Sequence, residues 1–296
     1  ASRSFAATDQ LRVALSHEPP HLDPSIGNDP ANIAVSYQNI FEGLTRIDEK
    51  GQVQPCLAKA WTVADDRLSC RFTLELEARY HDGTAFDAQH VVFSLKRLLG
   101  SESTSPNKAL YQSIADIAAN DDGTITLSLR QTDERLLYKL GLADAVMVAP
   151  ESVANNRAQP IGTGPFDLVE WDNGQGIVLE RNEDYWGVHP LITQADFYFI
   201  GDPEAALASL GDGGVDGYPD FPAPADLAPL RNSPAFRITT GNGPDGKPRI
   251  GVWNAQLTGM WVDAPVESCV LAGIHWASET STPQVGPAPF ITNPDD

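Results

Sequence analysis

Two histidines and a glutamate stand close together near the start of the chain, in the run His17–His21, which reads HEPPH. Its letters match the zinc-protease motif H-E-x-x-H, in which a helix places both histidines on one face. Here two prolines fill the middle positions and Asp23-Pro24 follows, so no helix can continue across the run. A zinc protease is excluded, and we expect no metal and no cofactor. His17, Glu18 and His21 stay candidates for ligand binding, because a loop after a first strand can line a site.

Other runs that could do chemistry also lack the residues that their reactions require. Gly162–Pro165 (GTGP) is glycine-rich, but no Lys-Ser/Thr pair follows, so it is no phosphate loop and instead predicts a tight turn before a strand. No nucleophile elbow and no protein-kinase set is present. The sequence therefore predicts a protein that is not an enzyme.

Composition narrows the class of partner. The 296 residues carry 20 basic and 40 acidic side chains, a formal net charge of −20. Such a surface repels phosphate backbones and anionic lipid headgroups, so we expect no nucleic-acid partner. Hydrophobic residues make up 42% of the chain, which indicates a soluble globular protein with a sizeable core. The polar N-terminal run ASRSFAATDQ is typical of a mature chain after signal removal or of a cytosolic protein.

The cysteines leave the redox compartment open. Cys56, Cys70 and Cys269 cannot all pair with one another, and no C-x-x-C run occurs. Free cysteine is one of the most frequently buried residue types, so three core residues are the simplest interpretation, with a bond between two of them as the alternative.

The elements that must position these residues are mixed. Asp29-Pro30 and Asp202-Pro203 predict helix starts, and a further helix is predicted from Asp87 to Gly100, with apolar residues at helical spacing. We expect the first of these helices to extend to Leu44. Strand runs bounded by Gly, Asn and Asp lie between the helices without regular alternation. The sequence thus predicts an α/β or α+β class with mixed sheets.

Several runs resemble the extracellular solute-binding proteins of family 5, which serve peptide and nickel ABC importers. The similar segments occur in the family's order: Phe41–Thr45 with Pro55–Trp61, Tyr80–Leu95, Ile161–Phe166 with Leu179–Gly187, and Ala205–Asp216. The departures are Gln-His at 89–90, where the family has Glu-Asp, and Lys59 in place of Glu or Gln. The resemblance implies a periplasmic or membrane-tethered receptor with two lobes around a cleft.

The resemblance also implies a domain organisation. It predicts a periplasmic-binding-protein-like main lobe with a mixed sheet, formed by residues 1–47, 161–241 and 247–296, and a small β-rich subdomain, residues 48–160, inserted into it. We expect residues 242–246 to be a short link that stands where the family continues into its second lobe. The strands on the two sides of this link should then be neighbours in one sheet. The residues assigned to this hinge or seam are Thr240, Gly241, Asn242, Gly243 and Gly246.

The function implied is that of a substrate-binding component of an ABC importer for peptides or similar small solutes, present as an isolated main lobe that binds ligand weakly. Its partners would be the ligand and the importer's membrane subunits, and its location the periplasm. The alternative is an interaction lobe that self-associates through its exposed cleft face and binds no ligand. The candidate ligand-binding residues are His17, Glu18, His21, Tyr37 and Asp220.

Overall fold

A computed structural model describes residues 10–48, 51–219, 221, 227, 230, 233–242 and 248–254. The strands in these ranges are β1 Gln10–Leu15, β2 Thr45–Ile47, β3 Val53–Pro55, β4 Ala58–Val63, β5 Ser69–Leu74, β6 Ile114–Ala119, β7 Thr124–Leu129, β8 Phe166–Asp172, β9 Gly176–Arg181, β10 Gln194–Phe199, β11 Gly217–Tyr218, β12 Phe236–Asn242 and β13 Pro248–Asn254. The α-helices are α1 Pro30–Ser36, α2 Ala88–Leu99, α3 Leu136–Lys139 and α4 Pro203–Asp212.

The larger of the sheets has seven strands in the order β12-β13-β11-β1-β10-β9-β8. Strand β1 lies at its centre and runs parallel to both β10 and β11. The strands outside this trio pair antiparallel with their neighbours. The sheet is therefore mixed, and the mixed α/β class predicted from the sequence is confirmed.

Alternation along β1 shows how the large sheet is buried. Leu11, Val13 and Leu15 belong to a core cluster with Phe41, Phe166 and other apolar residues on one face. Ala14 points to the opposite face, where it packs in a second cluster with Ala206 and Leu210 of α4. Because successive side chains of a strand point to opposite faces, this short strand contributes to two cores.

A four-stranded antiparallel sheet, β4-β5-β7-β6, forms the smaller unit. Helix α2 covers it and contributes Val91, Leu95 and Leu98 to a separate core cluster. The segment 145–149 is shared, because Ala145 and Met147 pack in this cluster whereas Val146 and Val148 pack in the core of the large sheet. An extended segment with period-two alternation thus lies between the two units.

The predicted helix starts are confirmed. Asp29, Asp87 and Asp202 each accept a backbone N–H bond at the N-terminus of a helix. The predicted extension of the first helix to Leu44 is wrong, since α1 ends at Ser36. Gln38 has a φ of 60°, and its N–H donates to the carbonyl of Phe41. This local turn places residues 37–41 outside any helix.

The pairing expected across the residue 242–246 link is observed. Strands β12 and β13 are antiparallel neighbours, with Asn242 opposite Pro248. Residues 243–247 lie outside the described residues. Within the described ranges, no helix combines the length and the apolar character that a membrane crossing requires.

Candidate ligand-binding edge

The directions of the strands define one edge of the large sheet. Because β1, β10 and β11 are parallel, their carboxyl ends meet at the same side. The segments that leave there are Ser16–Glu18 after β1, Gly201-Asp202 after β10 and Pro219 after β11. We call these segments the carboxyl edge. In open sheets of this kind, ligands bind outside the carboxyl ends of the strands. The loops after β1 and β10 approach closely, since a Cβ added at Gly201 would lie 2.9 Å from the carbonyl of Ser16.

Glu18 connects the loop after β1 to the turn between β8 and β9. Its Oε1 accepts a hydrogen bond from Trp171 Nε1 at 2.8 Å, and its Oε2 accepts one from the N–H of Gly174 at 3.1 Å. The β8–β9 turn lies at the carboxyl edge, since Gly176 at the start of β9 pairs with Tyr198 near the end of β10. Glu18 is half-buried. Because each of its oxygens accepts a hydrogen bond from the β8–β9 hairpin, its carboxylate joins the two segments.

His17 is exposed at the same edge and is held from both ring nitrogens. Nε2 lies 2.9 Å from Asp29 Oδ2, and Nδ1 lies 3.0 Å from Ser16 Oγ. Asp29 is also the N-cap of α1, where its Oδ1 accepts from the N–H of Asn32. The imidazole is therefore positioned by the start of a helix.

His21 and Tyr37 lie in the interior, away from the surface of the carboxyl edge. His21 is 9% exposed, with Nδ1 3.2 Å from Asn32 Nδ2, and burial, followed by the positive charge of Arg157, lowers its pKa. Tyr37 is 2% exposed, and its hydroxyl donates to the carbonyl of Gly141. Burial raises the pKa of Tyr37. Their predicted contacts with ligand remain predictions.

Of the remaining predicted residues, three belong to β12 and three fall outside the described residues. Thr240, Gly241 and Asn242 belong to this strand, whereas Asp220, Gly243 and Gly246 fall outside the described residues. Strand β12 is antiparallel to β13, which is antiparallel to β11, so β12 runs in the direction of β1. Asn242 therefore lies on the side of the sheet that carries Ser16–Glu18.

A buried carboxylate that the sequence reasoning missed lies between the two units. Glu42 is 3% exposed and accepts hydrogen bonds from Thr163 Oγ1 at 2.9 Å, Tyr185 Oη at 2.8 Å and Trp186 Nε1 at 3.0 Å. Cys56 Sγ approaches it at 3.5 Å. Burial raises the pKa of Glu42, and these hydrogen bonds oppose the rise because they favour the charged form.

The GTGP turn lies against the same region. The N–H of His81 donates to the carbonyl of Gly162 at 2.9 Å, and His81 Nε2 lies 2.9 Å from the carbonyl of Gly164. A Cβ added at Gly162 would lie 1.8 Å from the carbonyl oxygen of Ile40, so only glycine permits this approach. The turn is thus a packing junction between the two units. The described part of the chain contains no group of three or more His, Cys, Asp or Glu side chains able to hold a metal ion.

The mixed seven-stranded sheet, with a four-stranded sheet inserted in sequence between β1 and β8, is a fold shared with periplasmic binding proteins. The family model of bacterial extracellular solute-binding proteins, family 5 Middle, matches residues 52–256, more than half of the chain. The chain therefore belongs to this family of solute-binding proteins.

Curated relatives give the same result. The chain is 29% identical over 217 residues to a nickel-binding periplasmic protein of Escherichia coli K12, a match that covers 71% of this chain and 41% of the relative. It is 28% identical over 190 residues to the glutathione-binding protein GsiB of the same organism, covering 63% and 37%. The chain thus spans less than half of the length of these relatives.

Solved structures have the same fold. The binding protein AgaA of A. tumefaciens R10, in complex with agropinic acid, superposes with a TM-score of 0.74 at 27% identity, covering 79% of this chain and 48% of that one. The oligopeptide-binding protein AppA of Bacillus subtilis, in complex with a nonapeptide, superposes with a TM-score of 0.70 at 25% identity over the same shares.

Proposed function

We propose that the chain is the main lobe of a substrate-binding component of an ABC importer for peptides or similar small solutes. The observation that carries this proposal is the carboxyl edge, where the loop that holds His17 and Glu18 approaches the loop after β10 at Ser16 and Gly201, in a chain that belongs to the solute-binding family. The relatives bind nickel, glutathione and peptides according to their names, so small polar solutes are the class of ligand. The protein does not catalyse a reaction on them.

We propose that the ligand contacts this lobe through His17, Glu18 and Asp220, with His21 and Tyr37 behind them. Two-lobed receptors bind by closing around the ligand, which excludes water and satisfies its polar groups from both sides. A single lobe offers half of these contacts. Binding by the chain alone is therefore weak.

The proposed division assigns residues 1–47, 161–241 and 247–296 to the main lobe and 48–160 to the subdomain, with 242–246 as the link in place of the second lobe. The pairing of β12 with β13 supports it, because both connections of an inserted lobe must lie close together. The family model matches residues 52–256 as one uninterrupted range that includes the link. A β12–β13 hairpin that belongs to the main lobe in the whole family would give the same match. The parent reading frame decides between them: coding sequence for a second lobe between residues 242 and 246 supports the link, whereas a second lobe encoded after Asn254 contradicts it.

The proposed location is the periplasm, as for the nickel-binding relative, with the importer's membrane subunits as partners. The alternative is self-association through the cleft face that a second lobe would cover. Light scattering over a hundredfold range of concentration separates the two, since a monomer throughout argues against self-association and a growing mass supports it.

Two-dimensional NMR of the whole chain tests ligand binding. Glutathione, a dipeptide and nickel–histidine are titrated separately, and the backbone and indole resonances are followed. We expect one of these solutes to shift resonances of residues 16–18, 173–175 and 200–202 with weak affinity. Tight binding by the monomer contradicts the half-site, and shifts confined to other surfaces contradict the carboxyl edge.

A further inference from the structure

The loop that carries His17 and Glu18 is anchored at its centre by an ion pair between a buried carboxylate and a half-buried guanidinium. Asp23 is 0% exposed, and its Oδ2 accepts from Nη2 of Arg97 at 3.1 Å. Its Oδ1 accepts from the N–H of Ser25 at 3.0 Å and from Ser25 Oγ at 2.5 Å. Arg97 Nη1 donates to the same Ser25 hydroxyl at 2.5 Å. Both arms of the guanidinium therefore hold the loop.

Arg97 belongs to α2, the helix that covers the smaller sheet, so the anchor comes from the subdomain. Two further hydrogen bonds join the loop to residues 104 and 157, one on each side of Asp23. The N–H of Leu22 donates to the carbonyl of Arg157 at 2.9 Å, and Thr104 Oγ1 donates to the carbonyl of Ile26 at 3.3 Å. The loop after β1 thus extends from the large sheet onto the subdomain.

The ion pair is the charged part of this contact. A fully buried carboxylate is tolerated in a protein only when it is paired and hydrogen-bonded, and removing one partner leaves a charge without compensation. The planar guanidinium matches this site because it donates to a carboxylate and to a hydroxyl in one fixed geometry. An ammonium group would reproduce the charge without that geometry.

We propose that Arg97 is a positioning residue, through which the β-rich subdomain holds the Ser16–Asp29 loop, and with it His17 and Glu18, in place at the carboxyl edge. The subdomain then has a role in ligand binding without touching the ligand. The importance of the loop rests on the proposed function, whereas the anchoring itself does not.

The test uses the whole chain with Arg97→Met, and with Lys96→Met as the matched control, because Lys96 is the exposed neighbour on α2. Three readouts report on the loop alone: amide exchange of residues 16–29, the indole N–H resonance of Trp171 that Glu18 binds, and the NMR pH titration of His21. Arg97→Met alone leaves the buried Asp23 carboxylate without its partner. The double variant Asp23→Asn with Arg97→Met removes that charge, so the loop can still be measured if the single variant does not fold. Arg97→Lys tests the fork geometry.

In Arg97→Met, or in the double variant, we expect exchange of residues 16–29 to speed up by about tenfold or more while the strands of both sheets keep their protection. The Trp171 indole should shift in either variant, and in Arg97→Met the pKa of His21 should rise toward its ordinary value as the loop leaves its buried position. His21 is read in the single variant only, because Asp23→Asn removes a negative charge that itself raises the pKa of His21. Lys96→Met should match the wild type, and Arg97→Lys should lie between.

A loop that keeps wild-type exchange and the wild-type Trp171 shift in both the single and the double variant overturns the proposal. Uniform loss of protection across both sheets in the double variant also overturns it, because Arg97 would then be only a stability residue. These outcomes do not depend on ligand. The wild-type solute titration fails or succeeds separately, so the two proposals can be rejected independently.

Discussion

At the scale of single residues, Glu42 shows how a buried charge can be satisfied by neutral donors. The hydroxyl of Thr163, the hydroxyl of Tyr185 and the indole of Trp186 all point at its carboxylate. Every one of these groups donates, so the ionised form of Glu42 is the form that fits the surrounding contacts. Burial opposes ionisation and raises the pKa of Glu42.

Removing one donor tests this balance. Tyr185→Phe deletes the hydrogen bond to Glu42 Oε1 and keeps the ring, so we expect the free energy of unfolding at neutral pH to fall by about 1.5–3 kcal/mol, the range for hydrogen bonds to charged groups. Tyr198→Phe is the control, because that hydroxyl is 3.4 Å from Asp196 on a side chain that is 38% exposed. Urea denaturation measures both, and equal losses in the two variants would contradict the role of Tyr185.

The raised pKa of Glu42 also predicts a pH dependence. A carboxyl whose pKa is higher in the folded than in the unfolded state adds stability below its ordinary pKa, and this contribution is lost as the pH rises through the folded value. Glu42→Gln cannot titrate. We therefore expect the wild type to gain stability relative to Glu42→Gln as the pH is lowered through that window. Urea denaturation of both proteins at a series of pH values measures the difference, and a constant difference would refute the prediction.

At the scale of elements, the sequence predicted the starts of helices better than it predicted which distant residues touch. Helix starts at Asp29, Asp87 and Asp202 depend on side-chain caps within three residues, and these signals were sufficient. The helix predicted to extend to Leu44 failed because residues 37–41 form a local turn with Gln38 at positive φ. Apolar spacing in this stretch is helical, but the side chains are buried by a turn instead.

Contacts over long separations could not be predicted in this way. His17 and Glu18 were found because they follow a strand, which is a local signal. Glu42 was missed because its partners Thr163 and Tyr185 lie 121 and 143 residues further along the chain. These residues lie in segments that resemble family motifs. The order of the motifs along the chain does not predict which of them are in contact.

Two glycines, one in the GTGP turn and one in α4, give an element-scale prediction with opposite signs. Gly162→Ala places a methyl group 1.8 Å from the carbonyl oxygen of Ile40, so we expect a loss of about 3 kcal/mol or more. Gly211→Ala, in α4, meets nothing within 4 Å and should stabilise by about 0.4–1 kcal/mol through the unfolded chain. Thermal unfolding compares them, and a Gly162→Ala protein as stable as the wild type would show that the backbones can separate without cost.

At the scale of the whole molecule, the seven-stranded and the four-stranded sheets are joined through their cores. Residues 145–149 alternate between the two core clusters, and Met147 donates its N–H to the carbonyl of Glu42 at 2.8 Å. The Glu42 contacts, the GTGP turn and the Arg97–Asp23 pair lie at the same boundary. Neither unit can unfold without exposing part of the other's core.

We therefore expect the chain to unfold in one cooperative transition, although its seven-stranded and four-stranded sheets each have a core cluster of their own. The indole resonances of Trp61, on the smaller sheet, and Trp171, on the larger, report on one unit each and should disappear at the same urea concentration. The calorimetric and van't Hoff enthalpies of unfolding should agree. Gly162→Ala should move both resonances to lower urea together, because the turn belongs to the boundary. If Trp61 and Trp171 report separate midpoints, the subdomain folds independently and the shared segment 145–149 does not couple the two cores.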